Sequence, residues 1–242
     1  MDKRVLDKLI QSYYLKGMAE SVIWNTEEGK ISISFINQTK DCAGEIVLES
    51  TDVNLGNHEL AFYNTSQLDS LIKVTHNHLE LKVVEENSIP VKLNISDKDF
   101  DLTYHLATKE LIPTAPTISE PEEYDMTIEV DEDFIQKFGK AYSALDKPTR
   151  FTVESKFEEV QLAEFIVGES ISYANKIKFR HESTYFLGHG KLPFSAPVFR
   201  EILSVNKDAK TGKIEISEQG LMKVSFSDDN ITSKYYLVRL SD

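Results

Sequence analysis

Four stretches of the chain repeat apolar residues every three or four positions, the spacing that places them on one face of an α-helix. Other segments, such as 91–97, are apolar at every second position, as in a β-strand with one buried face. The sequence therefore predicts four amphipathic helices and a series of strands. The helices are predicted at residues 3–15 and 65–75, after Asp131 and after Ser195, and two early strands at 30–36 and 44–48.

The predicted helix starts carry residues that suit these positions. Asn64 can accept a hydrogen bond from the first turn of the second helix, and Gln67 can close a capping box. The third helix opens with acids at 131–133, where negative charge is favourable beside the positive end of the helix dipole. Pro197 is tolerated in the first turn of the fourth helix, because that position needs no backbone donor.

A repeat becomes visible when residues 63–109 are aligned with residues 194–240, a shift of 131 positions. The strand at 91–97 then coincides with 222–228, and a second strand follows a Ser-Asp turn in both copies. A helix, two strands and a turn in one order at one offset indicate a duplicated domain. The matched pairs are Tyr63 with Phe194, Leu68 with Phe199, Leu71 with Ile202, Ile72 with Leu203, Val74 with Val205, Phe100 with Ile231, Tyr104 with Tyr235 and Leu106 with Leu237, and a weaker match at an offset of 125 places Leu9 to Gln11 on Phe134 to Gln136.

Residues 112–124 separate the two copies and contain three of the seven prolines. Proline fixes φ and lacks a backbone donor, so this segment is predicted to be an extended connector. We therefore predict domains at 1–110 and 125–242, joined by a connector at 111–124. Each domain is predicted to contain two helices packed on antiparallel sheet, which places the chain in the α+β class.

The charge of the chain is unevenly distributed. In total, 27 basic and 40 acidic side chains give a net charge of −13, which by itself argues against a polyanionic partner. Windows around the four predicted helices, however, contain 11 basic and 9 acidic residues, against 16 and 31 in the rest of the chain. A helical projection places basic side chains opposite the apolar stripes, although a solvated helix face commonly carries such residues as well. These outward-facing side chains are Arg4, Lys8, Lys73, Lys137, Lys140, Arg200 and Lys207.

The sequence contains no constellation typical of an enzyme. The imidazoles of His76 and His78 lack further ligands at a known metal-site spacing, and Gly188-His189-Gly190 is predicted to be a turn rather than a phosphate loop. The single cysteine, Cys42, is predicted to be a structural thiol and fits a reducing compartment. We therefore expect a non-enzymatic protein without metal or cofactor. The amino-terminal residues do not resemble a secretory signal and no apolar run approaches the roughly 18 residues of a membrane helix, so a cytoplasmic location without membrane contact is expected.

Three segments of the second copy resemble a known family. Residues 192–203, 212–217 and 220–226 are similar to the final part of bacteriophage T4-type DNA polymerase sliding clamps. Lys234-Tyr235-Tyr236-Leu237-Val238 resembles the closing strand of that family and of proliferating cell nuclear antigen. Elsewhere the similarity consists of the order of helices and strands, the duplication and the connector.

The resemblance implies a DNA-clamp fold with two clamp domains per chain and a six-domain ring, which requires a homotrimer. It implies that helices line a hole around duplex DNA, bound without regard to base sequence, while sheets form the outer wall. The seven outward-facing basic residues are then the candidates for facing DNA. A DNA polymerase and a clamp loader are implied as partners, and the host cytoplasm as the location if the protein is viral.

Partner proteins of this family bind through short hydrophobic peptides beside the connector and the carboxy-terminal strand. Apolar residues at these two places are candidates for that groove, although they are equally suited to packing the domain junction. The subunit contact is predicted between edge strands near 102–109 and 171–179. The groove candidates are Leu111, Ile112, Pro113, Tyr236, Val238 and Leu240.

The alternative from another class is a duplicated, sheet-rich structural or adaptor protein, such as a virion component, that does not enclose DNA. The repeat and the assembly through edge strands suit both interpretations. Charge placement separates them, because a clamp requires the basic helix residues to converge on one concave surface, whereas an adaptor can scatter them.

Overall fold

The computed structural model describes residues 1–169, 171, 173–184, 188 and 190–241. The chain divides into two compact units. The first unit consists of Met1–Pro116 with Asp229–Ser233, and the second of Thr117–Asp228 with Lys234–Asp242. None of the helices in the described part of the chain combines the length and the apolar character needed to cross a membrane.

The first unit contains two helices and seven strands, interleaved so that each helix is followed by a run of strands. The predicted helices and the strand at 30–36 are confirmed, with small shifts at the helix ends. In chain order the elements are α1 (Lys3–Tyr14), β1 (Val22–Glu27), β2 (Lys30–Ile36), β3 (Cys42–Glu49), β4 (His58–Phe62), α2 (Thr65–Lys73), β5 (Glu80–Glu86), β6 (Ile89–Ser96) and β7 (Asp101–His105).

The second unit repeats this order and adds one strand before its first helix. It contains the third and fourth predicted helices at the expected places. Its elements are β8 (Met126–Glu129), α3 (Glu132–Ser143), β9 (Arg150–Phe157), β10 (Gln161–Val167), β11 (Ile177–Glu182), β12 (Leu192–Ser195), α4 (Ala196–Val205), β13 (Thr211–Ile216), β14 (Leu221–Ser227) and β15 (Ile231–Val238).

The strand order confirms the duplication. In the first unit the neighbours run β4-β1-β2-β3 through antiparallel pairs, and in the second unit the equivalent strands run β12-β9-β10-β11. A second set of neighbours runs β5-β6-β7 in one unit and β13-β14-β15 in the other, where β8 also pairs with β13. Along the chain, the first helix of each unit precedes the four strands of the first set, and the second helix separates them from the second set.

The start of α2 shows where local signals were sufficient and where they were not. Asn64 Oδ1 accepts a hydrogen bond from the Gln67 N–H at 2.9 Å, so the predicted cap is confirmed. The Asn64 N–H, however, donates to the Tyr104 hydroxyl at 3.1 Å instead of the Gln67 side chain. The predicted capping box is therefore wrong, because a tyrosine from β7 satisfies the donor that a local glutamine was expected to satisfy.

The apolar faces of the helices pack on the first sheet of each unit. In the first unit Trp24 is fully buried, with its ring centroid 4.3 Å from Phe62 and 6.4 Å from Tyr13 of α1. In the second unit the corresponding core is built from phenylalanines, and Phe151 lies 4.8 Å from Phe199 of α4. Burial of such aromatic side chains from helix and sheet fixes the helices on the sheet.

Candidate nucleic-acid interface

Helices α1 and α2 of the first unit contact each other and cover one face of the sheet. The predicted apolar stripe of α1 is fully buried at Leu6, Leu9, Ile10 and Tyr13, whereas Val5 is only half-buried. On the face opposite this stripe Arg4 is exposed, whereas Lys8 and Gln11 are half-buried.

A polar junction connects these two helices. Asp69 of α2 is nearly buried, and its carboxylate accepts hydrogen bonds from Gln11 Nε2 of α1 at 2.7 Å and from Lys73 Nζ at 2.5 Å. Lys3 Nζ donates to the carbonyl of Thr75 at 2.8 Å, just beyond the end of α2. A cation at this place is favourable because the last carbonyls of a helix carry partial negative charge.

Helices α3 and α4 of the second unit meet through aromatic side chains instead. Phe138 of α3 lies 4.8 Å from Phe199 of α4 in edge-to-face geometry, and the Arg200 guanidinium lies 5.9 Å above the Tyr142 ring. The predicted stripe of α4 is buried at all four positions, but Ile135 and Tyr142 of α3 are only half-buried. The buried positions of α4 are Val198, Phe199, Ile202 and Leu203.

The three candidate DNA-facing cations of the first unit all lie on its helices. Arg4 is exposed and pairs with Asp2 at 2.8 Å. This hydrogen bond lowers the pKa of the Asp2 carboxyl to about 2. Lys73 is exposed and pairs with Asp69, which raises the pKa of the lysine. Lys8 is half-buried.

Three of the four candidate cations of the second unit lie on its helices. Lys137 pairs with Asp133 at 2.5 Å one turn earlier, and Arg200 pairs with its neighbour Glu201. Lys140 is exposed near the end of α3. Lys207 is also exposed, but α4 ends at Val205, so its projection onto a helix face was wrong. The chain turns after Val205. There the side-chain amide of Asn206 donates hydrogen bonds through Nδ2 to the Ile202 carbonyl at 2.9 Å and to the Tyr235 hydroxyl at 3.1 Å.

Local acids therefore reduce the positive field of the helix faces. Four of the seven candidate cations have a carboxylate partner within four residues along the chain, and among the described residues Lys140 and Lys207 form no ion pair. The pairs of Arg4 and Lys137 are accessible to solvent, and such pairs are weak and exchange readily. The acids that pair with Lys73 and Arg200 are only 11% and 10% exposed. The spacing of four residues in two of these pairs was the sequence signal that the helical projection did not use.

The acids at the start of α3 have structural partners. Asp131 caps the helix by accepting the Phe134 N–H at 2.7 Å. Side-chain atoms of Asp131, Asp133 and His181 lie within 4.8 Å of one another, a grouping that residue spacing does not predict because His181 is about 50 residues away along the chain. The His181 ring also packs edge-on against Phe134, with its Nε2 3.1 Å from the Glu129 carbonyl.

The other residues considered for chemistry have ordinary surroundings. Cys42 is buried in β3, and burial raises the pKa of its thiol, as expected for a structural cysteine. His76 pairs with Asp99 at 2.9 Å, at an exposed position. The turn predicted around His189 involves a residue that lies outside the described part of the chain.

The candidates for the partner groove differ in exposure. Leu111 and Pro113 are exposed, but Ile112 between them is buried. In the carboxy-terminal segment Tyr236 is buried, Val238 is exposed and Leu240 is half-buried. The two buried residues therefore contribute to packing, and the exposed ones are better placed to meet a partner.

A network that the sequence did not predict attaches the end of the connector to the second unit. Glu120 accepts hydrogen bonds from Lys223 Nζ at 2.7 Å, from the Tyr236 hydroxyl at 2.7 Å and from the Tyr124 hydroxyl at 3.2 Å. Partial burial raises the pKa of the Glu120 carboxyl, but the hydrogen bonds outweigh burial and the net pKa lies below its ordinary value. The connector is thus tied to β14 and β15 through one carboxylate.

The two edge strands overlap the segments predicted for the subunit contact but have different bounds. Strand β7 covers Asp101–His105, which overlaps the predicted region 102–109, and among the described strands it has a neighbour on one side only. The second predicted edge strand, 171–179, begins six residues too early, because β11 covers Ile177–Glu182. The described residues before it form a turn in which the Ala174 N–H donates to the Ile171 carbonyl at 3.2 Å, and Ser172 lies outside the described residues.

Comparison with known proteins gives matches of structure but not of sequence. No protein-family model and no curated protein matches the chain. Proliferating Cellular Nuclear Antigen (PCNA) from Entamoeba histolytica matches all of this chain and 97% of its own, with a TM-score of 0.74 and 15% identity. PCNA of A. fulgidus, bound to the C-terminal region of FEN-1, matches with the same coverage, a TM-score of 0.76 and 14% identity. A chain of the PCNA2–PCNA3 complex from Sulfolobus tokodaii matches all of this chain over 98% of its own length, with a TM-score of 0.72 and 10% identity.

At these identities the comparison establishes the fold. The whole chain has the PCNA-like clamp fold, with four helices packed on antiparallel sheets, and the predicted α+β DNA-clamp architecture is confirmed.

Proposed function

We propose that this protein is a sliding clamp that encircles duplex DNA and tethers a replicative DNA polymerase for processive synthesis. The observation that carries the proposal is the match of the full chain, over both repeated units, to PCNA structures at TM-scores of 0.72–0.76. The similarity of residues 192–203, 212–217, 220–226 and 234–238 to T4-type clamps supports a phage-type clamp within this fold. The role requires topological retention and no catalysis.

The proposed DNA contacts are made by the basic side chains of the helices. A clamp must retain DNA without stopping on it, which favours a few exchangeable contacts to phosphates over base readout. Arg4 and Lys137 suit this need, because their carboxylate partners are accessible to solvent and each can exchange a carboxylate for a phosphate at small cost. The proposed DNA-facing residues are Arg4, Lys8, Lys73, Lys137, Lys140, Arg200 and Lys207.

The proposed assembly is a homotrimeric ring in the cytoplasm, closed by pairing between β7 of one subunit and β11 of the next. Both strands have a neighbour on one side only among the described strands, and pairing them removes two free sheet edges per contact. Six clamp domains then complete the ring. We propose that a clamp loader opens it at one of these contacts.

The proposed partner site lies beside the connector and the carboxy-terminal strand. The A. fulgidus PCNA structure holds the C-terminal region of FEN-1, which supports peptide binding as a property of the fold. The proposed contact residues are Leu111, Ile112, Pro113, Tyr236, Val238 and Leu240, of which Leu111, Pro113 and Val238 are exposed.

An adaptor that forms a ring or array without enclosing DNA is the second candidate. The observation that favours it is the pairing of four of the seven candidate cations with local acids, which lowers the positive field expected of a DNA-lining surface. The two functions differ in one measurable property, the ability to support processive synthesis.

The deciding experiment is primer extension on primed circular DNA with the polymerase and clamp loader of the same genome. We expect the protein to lengthen the products and to sediment at three times 27.6 kDa. Charge reversal at Lys140 and Arg200 should shorten the products and leave the trimer intact, whereas the matched reversal Lys98→Glu, at an exposed turn, should change neither. A sedimenting trimer that gives no lengthening would favour the adaptor, and loss of the trimer on reversal would place these two residues in the subunit contact.

A further inference from the structure

A groove on the first unit is lined by residues other than those that the proposed function uses, and its segment 106–110 connects β7 to Leu111. It has a volume of about 530 Å³ and is bordered by β4, by the β5–β6 hairpin and by the segment that follows β7. Its lining includes neither the helices nor the residues 111–113 and 236–240 proposed for the partner site.

The floor of the groove is apolar and fixed by backbone hydrogen bonds. The Leu106 N–H donates to the Val91 carbonyl and the Ala107 N–H to the Ala61 carbonyl, each at 2.9 Å. Val91, Leu106 and Ala107 are half-buried, so their apolar surface is partly accessible from solvent. The groove therefore exists before any partner arrives, which lowers the cost of binding.

An exposed isoleucine stands at the edge of this floor. Ile89 is 62% exposed, directly after a turn in which Asn87 and Ser88 adopt positive φ values of 51° and 63°. In the second unit the position 131 residues later is Gly220, which forms the equivalent turn without an apolar side chain. Since the fold forms this hairpin without the isoleucine, the exposed side chain is available for a purpose other than folding.

The rim of the groove is acidic. Three glutamates face two basic groups, and the pairs they form are at the surface, with Lys109 2.8 Å from Glu59 and His58 3.4 Å from Glu85. The glutamate side chains of these pairs remain 54% and 42% exposed. Such pairs contribute little to stability and are readily replaced by a cation from a partner. The third glutamate is Glu110.

We propose that this groove binds a short extended peptide whose apolar side chain rests on the floor beside Ile89 and whose lysine or arginine side chains meet the glutamates of the rim. The acidic rim selects a basic partner over an acidic one, and the apolar floor supplies the anchor. The proposal goes beyond the proposed clamp function and does not depend on the ring or on DNA.

The test uses three fluorescein-labelled dodecapeptides and the whole protein, with binding followed by fluorescence polarisation in the absence of DNA. One peptide carries two leucines and four lysines, the second replaces the lysines with glutamates, and the third replaces the leucines with serines. We expect saturable binding of the first alone. Ile89→Asp should weaken it about tenfold and Glu85→Gln about threefold.

The matched control is Val160→Asp in the second unit, an aliphatic side chain that is 52% exposed, against 62% for Ile89. It should leave the affinity unchanged. Equal binding of the lysine and serine-substituted peptides would show attraction to the net charge of −13 and overturn the groove. The proposal would also be overturned if Val160→Asp lost peptide binding, or if Ile89→Asp kept the affinity of the wild-type protein. Circular dichroism of each variant verifies that the loss is not unfolding.

Discussion

The two units form the same junction between two helices from different chemistry. In the first unit Asp69 receives hydrogen bonds from Gln11 and Lys73, whereas in the second unit Phe138 packs edge-on against Phe199. The repeat places Asp69 at the position of Arg200, so one helix position carries opposite charges in the two copies. The fold requires matched shape and satisfied polar groups at this contact, and it does not prescribe which side chains provide them.

The largest test of this comparison removes the apolar side chain at one helix position in each unit. Phe199→Ala should lower the free energy of unfolding by about 3–5 kcal/mol and the matched Leu68→Ala by about 3 kcal/mol, because both side chains are fully buried. Urea unfolding followed by circular dichroism measures the cost. The fluorescence of Trp24, the single tryptophan, reports on the first unit. A cost below about 1 kcal/mol at Phe199 would contradict the aromatic junction.

The next test removes the polar junction. Asp69→Ala should cost about 1–2 kcal/mol, because it leaves Gln11 without its partner at a part-buried place. The matched Arg200→Ala should cost a similar amount, because it removes the cation above the Tyr142 ring and takes one ion-pair partner from the buried Glu201. The same unfolding measurements compare them. A cost at Arg200 well below the cost at Asp69 would show that the second junction depends on aromatic packing alone.

A third test addresses the attachment of the connector, a feature of the second unit. Glu120→Gln should cost about 1–2 kcal/mol and increase hydrogen exchange at residues 117–124, because the charge-assisted hydrogen bonds from Lys223 and Tyr236 weaken. The exposed Glu122→Gln is the control and should leave exchange unchanged.

The pH dependence of this network has a defined sign. The folded pKa of Glu120 lies below its ordinary value of 4.5, so its contribution is complete above that pH and is lost as pH falls through the lowered folded value. We therefore expect the exchange rate at 117–124, divided by the intrinsic rate of an unprotected amide at the same pH, to rise in the wild-type protein on acidification below pH 4.5. It should not rise in Glu120→Gln. Equal rises in both proteins would assign the acid sensitivity to other groups.

The smallest expected effect on stability comes from breaking two ion pairs that share a spacing of four residues. Lys137→Ala should cost about 0.3–0.5 kcal/mol, as is usual for exposed pairs four residues apart on a helix. Lys73→Ala should cost more, about 1 kcal/mol, because its partner Asp69 is 11% exposed whereas Asp133 is 60% exposed. Thermal unfolding of the two variants at low and high salt measures this, and salt should reduce the Lys137 effect more strongly.

The sequence by itself determined the duplication, the four helices, the strand at 30–36, the cap at Asn64 and the buried stripe of α4. These features follow from periodicity and from residues within one turn of each other, so local spacing is enough to predict them. The pairs Lys73–Asp69 and Lys137–Asp133 were also accessible in this way, since their spacing of four residues places them on one helix face.

Only the tertiary structure decided which distant groups meet. The hydrogen bond of Tyr104 to Asn64 spans 40 residues, that of Gln11 to Asp69 spans 58, and that of Tyr236 to Glu120 spans 116. The acidic rim and apolar floor of the groove likewise come from three separate segments. Such contacts depend on how sheets and helices are packed together, and the spacing of residues along one chain does not contain that information.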